Sequence, residues 1–373
     1  MPLGRATRAA AIAYIDHSNM KRFAEILPLG LAVLSAAVLI ATLVRAQEDP
    51  TLDAKRRVLP EVGGGFRAVR RGPDSAYYVL ASLPPSTPSK ASKYVKASKP
   101  AKPPAPVVLI FDSQGTKLRQ IPVQPRPGEM VSPDSLDIDA SGRVYIADLG
   151  GDTVGIYAAD GALFAHFHIQ KPTQIVALPG DQFAICSATA DHLISVYDLQ
   201  GKLLREFGEL ADLSDDAELN RRLNAGHLAK DKAGNLYFAF RYLPEPTVRK
   251  YDPASGSLVD ELSLTTLDLA PMAQSARQEI ARAAAGKPLR AHEIISGFGV
   301  DPETQEFWLA LGNLLMHFDN ADNKIAASRA YTTDGARIVP NFILVEKDRL
   351  LLGNDPLGIY EFPRSSGGIR RVE

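Results

Sequence analysis

Cysteine is almost missing from this chain: Cys186 is the only one in 373 residues. No intrachain disulfide can form, so the fold rests on packing alone, whatever compartment it occupies. No cysteine stands directly after the N-terminal apolar run either, so a lipoprotein-type anchor is not expected. A lone thiol inside the apolar run 183–186 reads as a small core residue rather than a nucleophile. Excess charge is missing too. The 42 Lys and Arg are matched by 43 Asp and Glu, for a formal net charge of −1, which argues against a nucleic-acid partner. Tryptophan is reduced to Trp308, and its neighbours Phe307 and Leu309 place it in a core-packing run. No Gly-x-Ser-x-Gly turn is present, so a Ser-His-Asp hydrolase reading has nothing to stand on.

What the chain has is a repeat. Between Ser132 and Phe167 there are four short apolar runs, each closed by a turn of Gly, Asp or Ser. Residues 144–147 follow a Ser-Gly turn, 153–157 form a second β-rich run, and Asp160-Gly161 leads into 163–167. Strands this short with turns this tight make a small antiparallel meander. An aromatic residue followed by a turn marks each recurrence. The markers are Phe111-Asp112, Tyr157-Ala158, Tyr197-Asp198, Tyr251-Asp252, Phe318-Asp319 and a shortened Tyr360-Glu361. Six markers predict six units that bury both faces by closing into a ring. The 132–167 stretch resembles an NHL repeat, one blade of a β-propeller, and the resemblance extends over about residues 54–364. It implies an all-β, six-bladed propeller of four-stranded antiparallel blades, akin to the TolB-like propellers, with blades near 63–123, 132–169, 173–209, 226–264, 294–331 and 339–364. The last blade needs a fourth strand. Residues 55–59 are expected to supply it rather than 369–372, because that closure removes an open edge and ties down a terminus.

The front of the chain speaks to location. Residues 26–44 carry no charge, and at about 1.5 Å per residue they span roughly 28 Å, close to a bilayer's hydrocarbon thickness. Arg5, Arg8, Lys21 and Arg22 precede the run, so residues 1–25 are expected to stay cytoplasmic and residues 47–373 to be exported. Residues 26–46 read as a transmembrane anchor or as a signal peptide cut after Ala46, the anchor being favoured by length.

Three insertions interrupt the repeat. The loop 83–106 has no acidic residue and carries Lys90, Lys93, Lys96, Lys99 and Lys102 at a spacing of three. In a polyproline II conformation, with three residues per turn, these five ammonium groups share one edge. Such an arm suits an acidic protein, an anionic polymer or lipid headgroups, and also a merely solvated linker. Residues 211–224 and 268–286 read as helices with acidic starts or glycine stops, placed to cap one face of the ring near the channel mouth.

In a propeller, the first residues of each inner strand face the axial channel. Aligning the blades puts Arg67, Ser135, Thr173, His227, Gly297 and Asn341 there, with His292 just upstream of the fifth inner strand. This ring is polar and, on that alignment, holds no carboxylate. The six-bladed lactonases and esterases that the chain resembles imply calcium on Glu, Asp and Asn ligands, of which only Asn341 and, loosely, Glu293 match. NHL-type lyases imply zinc on three histidines, of which only His227 and His292 are placed. His166, His168 and His192 fall in outer strands and turns. The repeated Asp112, Asp198, Asp252 and Asp319, with Asp139, Asp231 and Asp301, read as turn caps. The expectation is a non-catalytic binding scaffold without a cofactor, for a protein, peptide or envelope polymer at the channel mouth or loops, with the membrane reached through the N-terminal helix. A calcium- or zinc-dependent hydrolase or lyase is the alternative.

Overall fold

The computed structural model describes residues 50–62, 65–83, 105–123, 132–290 and 292–364. The apolar run 26–44, the cleavage position Ala46, Lys90, Lys93, Lys96, Lys99, Lys102 and residues 369–372 lie outside the described residues. Among the described residues, no helix is long and apolar enough to cross a membrane.

The chain is a six-bladed β-propeller. Blade 1 runs Phe66–Arg71, Tyr77–Leu83, Ala105–Phe111 and Lys117–Pro122. Blade 2 runs Pro133–Ile138, Val144–Asp148, Thr153–Tyr157 and Leu163–His168, and blade 3 runs Pro172–Leu178, Gln182–Ser187, His192–Asp198 and Leu203–Glu209. Blade 4 runs Gly226–Lys230, Leu236–Phe240, Thr247–Tyr251 and Leu258–Ser263, and blade 5 runs Gly297–Val300, Phe307–Leu311, Leu314–Phe318 and Lys324–Tyr331. Blade 6 has Phe342–Val345, Arg349–Asn354 and Gly358–Pro363 from the C-terminal side. Each inner strand packs against the next, and the last against the first.

The strands are short continuous apolar runs because both faces of each blade are covered. Within a run, alternate residues still go to opposite sides. Tyr77, Val79 and Ala81 pack towards blade 6, while Tyr78 and Leu80 pack towards blade 2. Trp308 and Ala310 pack towards blade 6, and Phe307 and Leu309 towards blade 4. The core is therefore six wedges between blades rather than one centre. Tyr145, Phe183 and Tyr197 fill the wedge between blades 2 and 3. Trp308 is buried and stacks on His317, with ring centroids 3.9 Å apart.

The turns explain the repeated acids. In all seven, an Asp Oδ1 accepts from backbone N–H groups just beyond it. Asp112 takes Gln114 and Thr116, Asp139 takes Ser141 and Arg143, and Asp198 takes Gln200 and Lys202. Asp231, Asp252, Asp301 and Asp319 do the same for Asn235, Ala254, Glu303 and Ala321. The turn glycine is needed where the chain turns left-handed: Gly201 has φ +77°, and a Cβ there would stand 2.4 Å from the Phe167 ring.

Two N-terminal strands close the ring. Arg56–Val58 runs antiparallel to Gly358–Pro363, with Arg56 opposite Glu361 and Val58 opposite Ile359. It lies inside the 55–59 stretch expected there. A second strand was not foreseen: Thr51–Asp53 runs parallel to Lys324–Tyr331 and gives blade 5 a fifth strand. Its three residues give no alternating pattern long enough to read. Between the two, Ala54 N–H donates to Tyr331 O at 2.9 Å and Lys55 N–H to Glu361 O at 2.8 Å, so the segment ties blade 5 to blade 6.

Helix α1 (Ala217–Leu223) and helix α2 (Ala270–Ala284) occupy the two expected insertions. The first starts later than its acidic stretch suggested, because Asp216 caps it by accepting from Glu218 and Leu219 N–H and so fixes its first turn. Leu219 and Leu223 of α1 meet Ile280 of α2 in a small separate cluster that includes Tyr242. An ion pair between Arg277 and Glu245 fastens α2 to blade 4.

Candidate functional site

All six blades line one cavity of about 180 Å³, at the end of the channel where the inner strands begin. Arg67 and Arg70 come from blade 1, Asp134 and Ser135 from blade 2, and Gln174 from blade 3. His227 and Arg241 come from blade 4, Phe298 from blade 5 and Asn341 from blade 6. Of the six aligned channel residues and His292 upstream of them, the fold brings Arg67, Ser135, His227 and Asn341 together.

Thr173, Gln174's neighbour, does not line the cavity, nor do His292 and Gly297, the place of the latter being taken by Phe298. Blades 1, 2 and 3 each skip one residue at the start of the inner strand, between Phe66 and Ala68, Pro133 and Ser135, and Pro172 and Gln174. Gln174, not Thr173, is thus the equivalent of Ser135. Thr173 turns its Oγ1 to donate to Cys186 O at 3.1 Å. His292 is exposed in the segment leading to blade 5, and its neighbour Glu293 reaches towards the cavity instead. The same one-residue slip corrects the expectation of a carboxylate-free ring. Asp134 occupies the skipped position of blade 2 and lines the cavity, as Arg67 does in blade 1.

Arg70, Gln174 and Arg241 also line the cavity and are not in the aligned ring. Arg70 lies three residues past Arg67 in a strand whose register shifts in between. Arg241 follows the apolar run 236–240; because the strands are antiparallel, the end of the second strand lies beside the start of the inner one, with Phe240 opposite Gly226.

The electrostatics are dominated by guanidinium groups. The Nε of Arg241 is buried with no hydrogen-bond partner among the described residues, and its nearest carboxylate, Glu293, lies 3.7 Å from Nη1. Arg70 makes one described hydrogen bond, to Val69 O at 3.0 Å. Burial lowers its pKa from the ordinary value, with Asp137 opposing that shift. Asp137 itself is already engaged: its Oδ2 accepts from Lys230 Nζ at 2.8 Å and from Ala177 N–H at 2.9 Å. Arg67 is exposed at the rim. Burial raises the Glu293 pKa and Asp134 adds to this, while Arg241 counters it.

His227 is held neutral. Its Nε2 lies 3.2 Å from Ile295 O, and since a carbonyl only accepts, Nε2 carries the proton. Burial pushes its pKa well below the ordinary value, and Arg241 and Arg70 push it further. Ser135 is committed to the fold, its Oγ accepting from Ile175 N–H at 3.2 Å. The Cys186 thiol is buried and its pKa is raised by that burial, which leaves it unreactive. Asn341 Oδ1 is a second buried atom at the cavity with no partner among the described residues.

The donor set does not fit the metals that the propeller resemblance implied. Among the described residues, no three His, Cys, Asp or Glu side chains stand together in metal-holding geometry. Three guanidinium groups around one cavity also repel a divalent cation.

No protein-family model matches the chain, and no curated protein sequence does. Among solved structures, the chain is similar to virginiamycin B lyase from Staphylococcus aureus, with 10% identity, a TM-score of 0.48 and coverage of 83% of this chain and 87% of the lyase. It is similar to a streptogramin B lyase at 14% identity and a TM-score of 0.48, covering 80% of this chain and 93% of the other. A chain of the nidogen–laminin complex matches at 13% identity and a TM-score of 0.44, covering 67% and 82%. These likenesses are too remote to carry any function across.

Proposed function

We propose that this chain is an NHL-like propeller that works by binding, without catalysis, and that its ligand seats in the axial cavity headed by Arg67, His227 and Asn341. One observation carries the reading: every blade contributes to a polar cavity in which Arg241 Nε and Asn341 Oδ1 are buried and unsatisfied among the described residues. Buried polar atoms cost free energy until a partner arrives. Apart from the carboxylates Asp134 and Glu293, the groups around them are either neutral and already bonded, as His227 and Ser135 are, or permanently charged, which suits recognition better than proton transfer. The propeller sits outside the cytoplasm, tethered by residues 26–44 or released after Ala46, and the lysines of the 83–106 loop form a second contact surface for an acidic partner in the envelope.

Hydrogen exchange on the full-length chain in mild detergent tests this reading, with and without an envelope extract fractionated by size. Slowed exchange at the first residues of the inner strands is expected from at least one fraction. Protection confined to the outer strands, or turnover of an extract component by the chain, would refute it.

A further inference from the structure

The cavity's charges do not balance. Arg67, Arg70 and Arg241 line it, and the carboxylates within reach are Asp134 and the more distant Glu293, Asp137 being bound to Lys230. One positive charge is left over, and two of the three guanidinium groups are held in place: Arg70 lies in the inner strand of blade 1 and Arg241 just past a strand end of blade 4, and both are only partly exposed. Arg241 Nε is buried without a partner among the described residues, so one edge of that guanidinium fork is unused. A guanidinium fork matches a carboxylate in two-point geometry. On the other side, Asn341 Oδ1 is a buried acceptor with nothing to accept from among the described residues, and Asp134 makes no described hydrogen bond, so the ligand must bring donors beside its charge. Size narrows it further: about 180 Å³ is the room of roughly six water molecules.

We propose that the axial cavity is a site for a compact hydroxy-carboxylate, its acid group held by Arg241 and Arg70 and its hydroxyls by Asn341 and Asp134. The proposal rests on the binding reading above and adds the ligand class. A monoanion suits the single surplus charge, and Asp134 opposes a second negative charge on the ligand. Arg67 at the exposed rim draws the acid in. His227, whose basicity is depressed first by burial, is depressed further by Arg241 and Arg70, so their positive field reaches the spot where the carboxylate is to lie.

Calorimetric titration of the full-length chain in mild detergent tests the class, with D-glucuronate and D-gluconate as probes and D-glucose and inorganic phosphate as controls. An acid binding at least tenfold tighter than glucose and tighter than phosphate is expected. Arg241→Gln should lose tenfold or more, Arg241→Lys should recover part of that loss, and both should melt as the parent does. Arg67→Gln, at the rim, gives a second variant that cannot unfold the core; it should slow association and steepen nothing else. Glucose and glucuronate binding equally, with inner strands protected from exchange, would overturn the carboxylate while leaving the binding cavity standing. Acid binding indifferent to Arg241→Gln and Arg67→Gln would overturn the placement. Phosphate binding tighter than either acid, or no heat from either acid at millimolar concentration, would overturn the class. An oligoglucuronate binding tighter than the monomer would assign the acid to a polymer end, and equal binding to a free solute.

Discussion

At the seam between blades 6 and 1, arginines are fully answered; at the channel mouth they are not, although both places use the same inner strand of blade 1. Arg71 ends that strand and pairs with Glu346 at 2.7 Å. Glu346 is buried and also accepts from Tyr77 Oη at 2.7 Å and from Arg349, which in turn reaches Glu361 at 2.7 Å, where Arg56 joins at 3.0 Å. Burial and the bond to Glu346 push the Tyr77 pKa up to about 12, so the phenol remains a donor. Four residues earlier, Arg67 begins the cavity that also holds Arg70 and Arg241, where the one described ion pair is the loose contact of Arg241 with Glu293 at 3.7 Å. The difference teaches which arginines hold the ring together and which await something else. A charged group that is closed within the protein is architecture, while one left open is an invitation.

Breaking the seam should have the largest effect. Glu346→Gln strands Arg71 and Arg349 around a neutral group, and a loss of about 3 kcal/mol in urea-unfolding stability is expected. A loss under about 1 kcal/mol would mean that solvent already screens the seam. The acid limb of stability comes next. The folded-state pKa values of His227 and His317 are depressed by burial. The unfolded chain therefore takes up protons first as pH falls below about 6.5, and stability drops from there down towards the folded-state values. Each histidine contributes a slope approaching about 1.4 kcal/mol per pH unit in that window. His227→Gln should flatten the limb, as read from urea curves at several pH values, and an unchanged slope would place the proton elsewhere. At the mouth, Arg241→Gln should change stability by less than about 1 kcal/mol, because the lost contact to Glu293 is offset by relief of repulsion from Arg70. A cost like that of Glu346→Gln would erase the contrast between the two regions. Replacing Lys90, Lys93, Lys96, Lys99 and Lys102 by Gln should alter stability least, by under about 0.5 kcal/mol. The same change should lower the salt concentration needed to elute the chain from an anionic polymer column.

The ring was legible because its punctuation is local. An Asp that caps its own turn, often with a glycine at positive φ, leaves a mark in blades 1 to 5, and the aromatic before the turn packs in a wedge. The channel was only half legible for the same reason. Its composition depends on a single skipped residue at the start of three inner strands, and a one-residue slip sends a side chain to the opposite face. Nothing in Pro172-Thr173-Gln174 announces that Thr173 turns to Cys186 while Gln174 faces the channel. Pro133-Asp134-Ser135 carries the same skip, and comparing the two triplets was the available clue. Arg241 belongs to a loop after a strand, where the repeat pattern has already ended. His292 was placed by nearness in sequence, which a loop does not honour.

The closure has a consequence in time rather than space. Arg56 meets Glu361 across a separation of 305 residues, so the strand that seals blade 6 is made before any blade and finds its partner only after the last blade exists. Until then blades 5 and 6 present unpaired outer edges, and the long loop to be closed slows the search. Folding of this ring is thus a wait: the first residues of the propeller to be made are among the last to take their places.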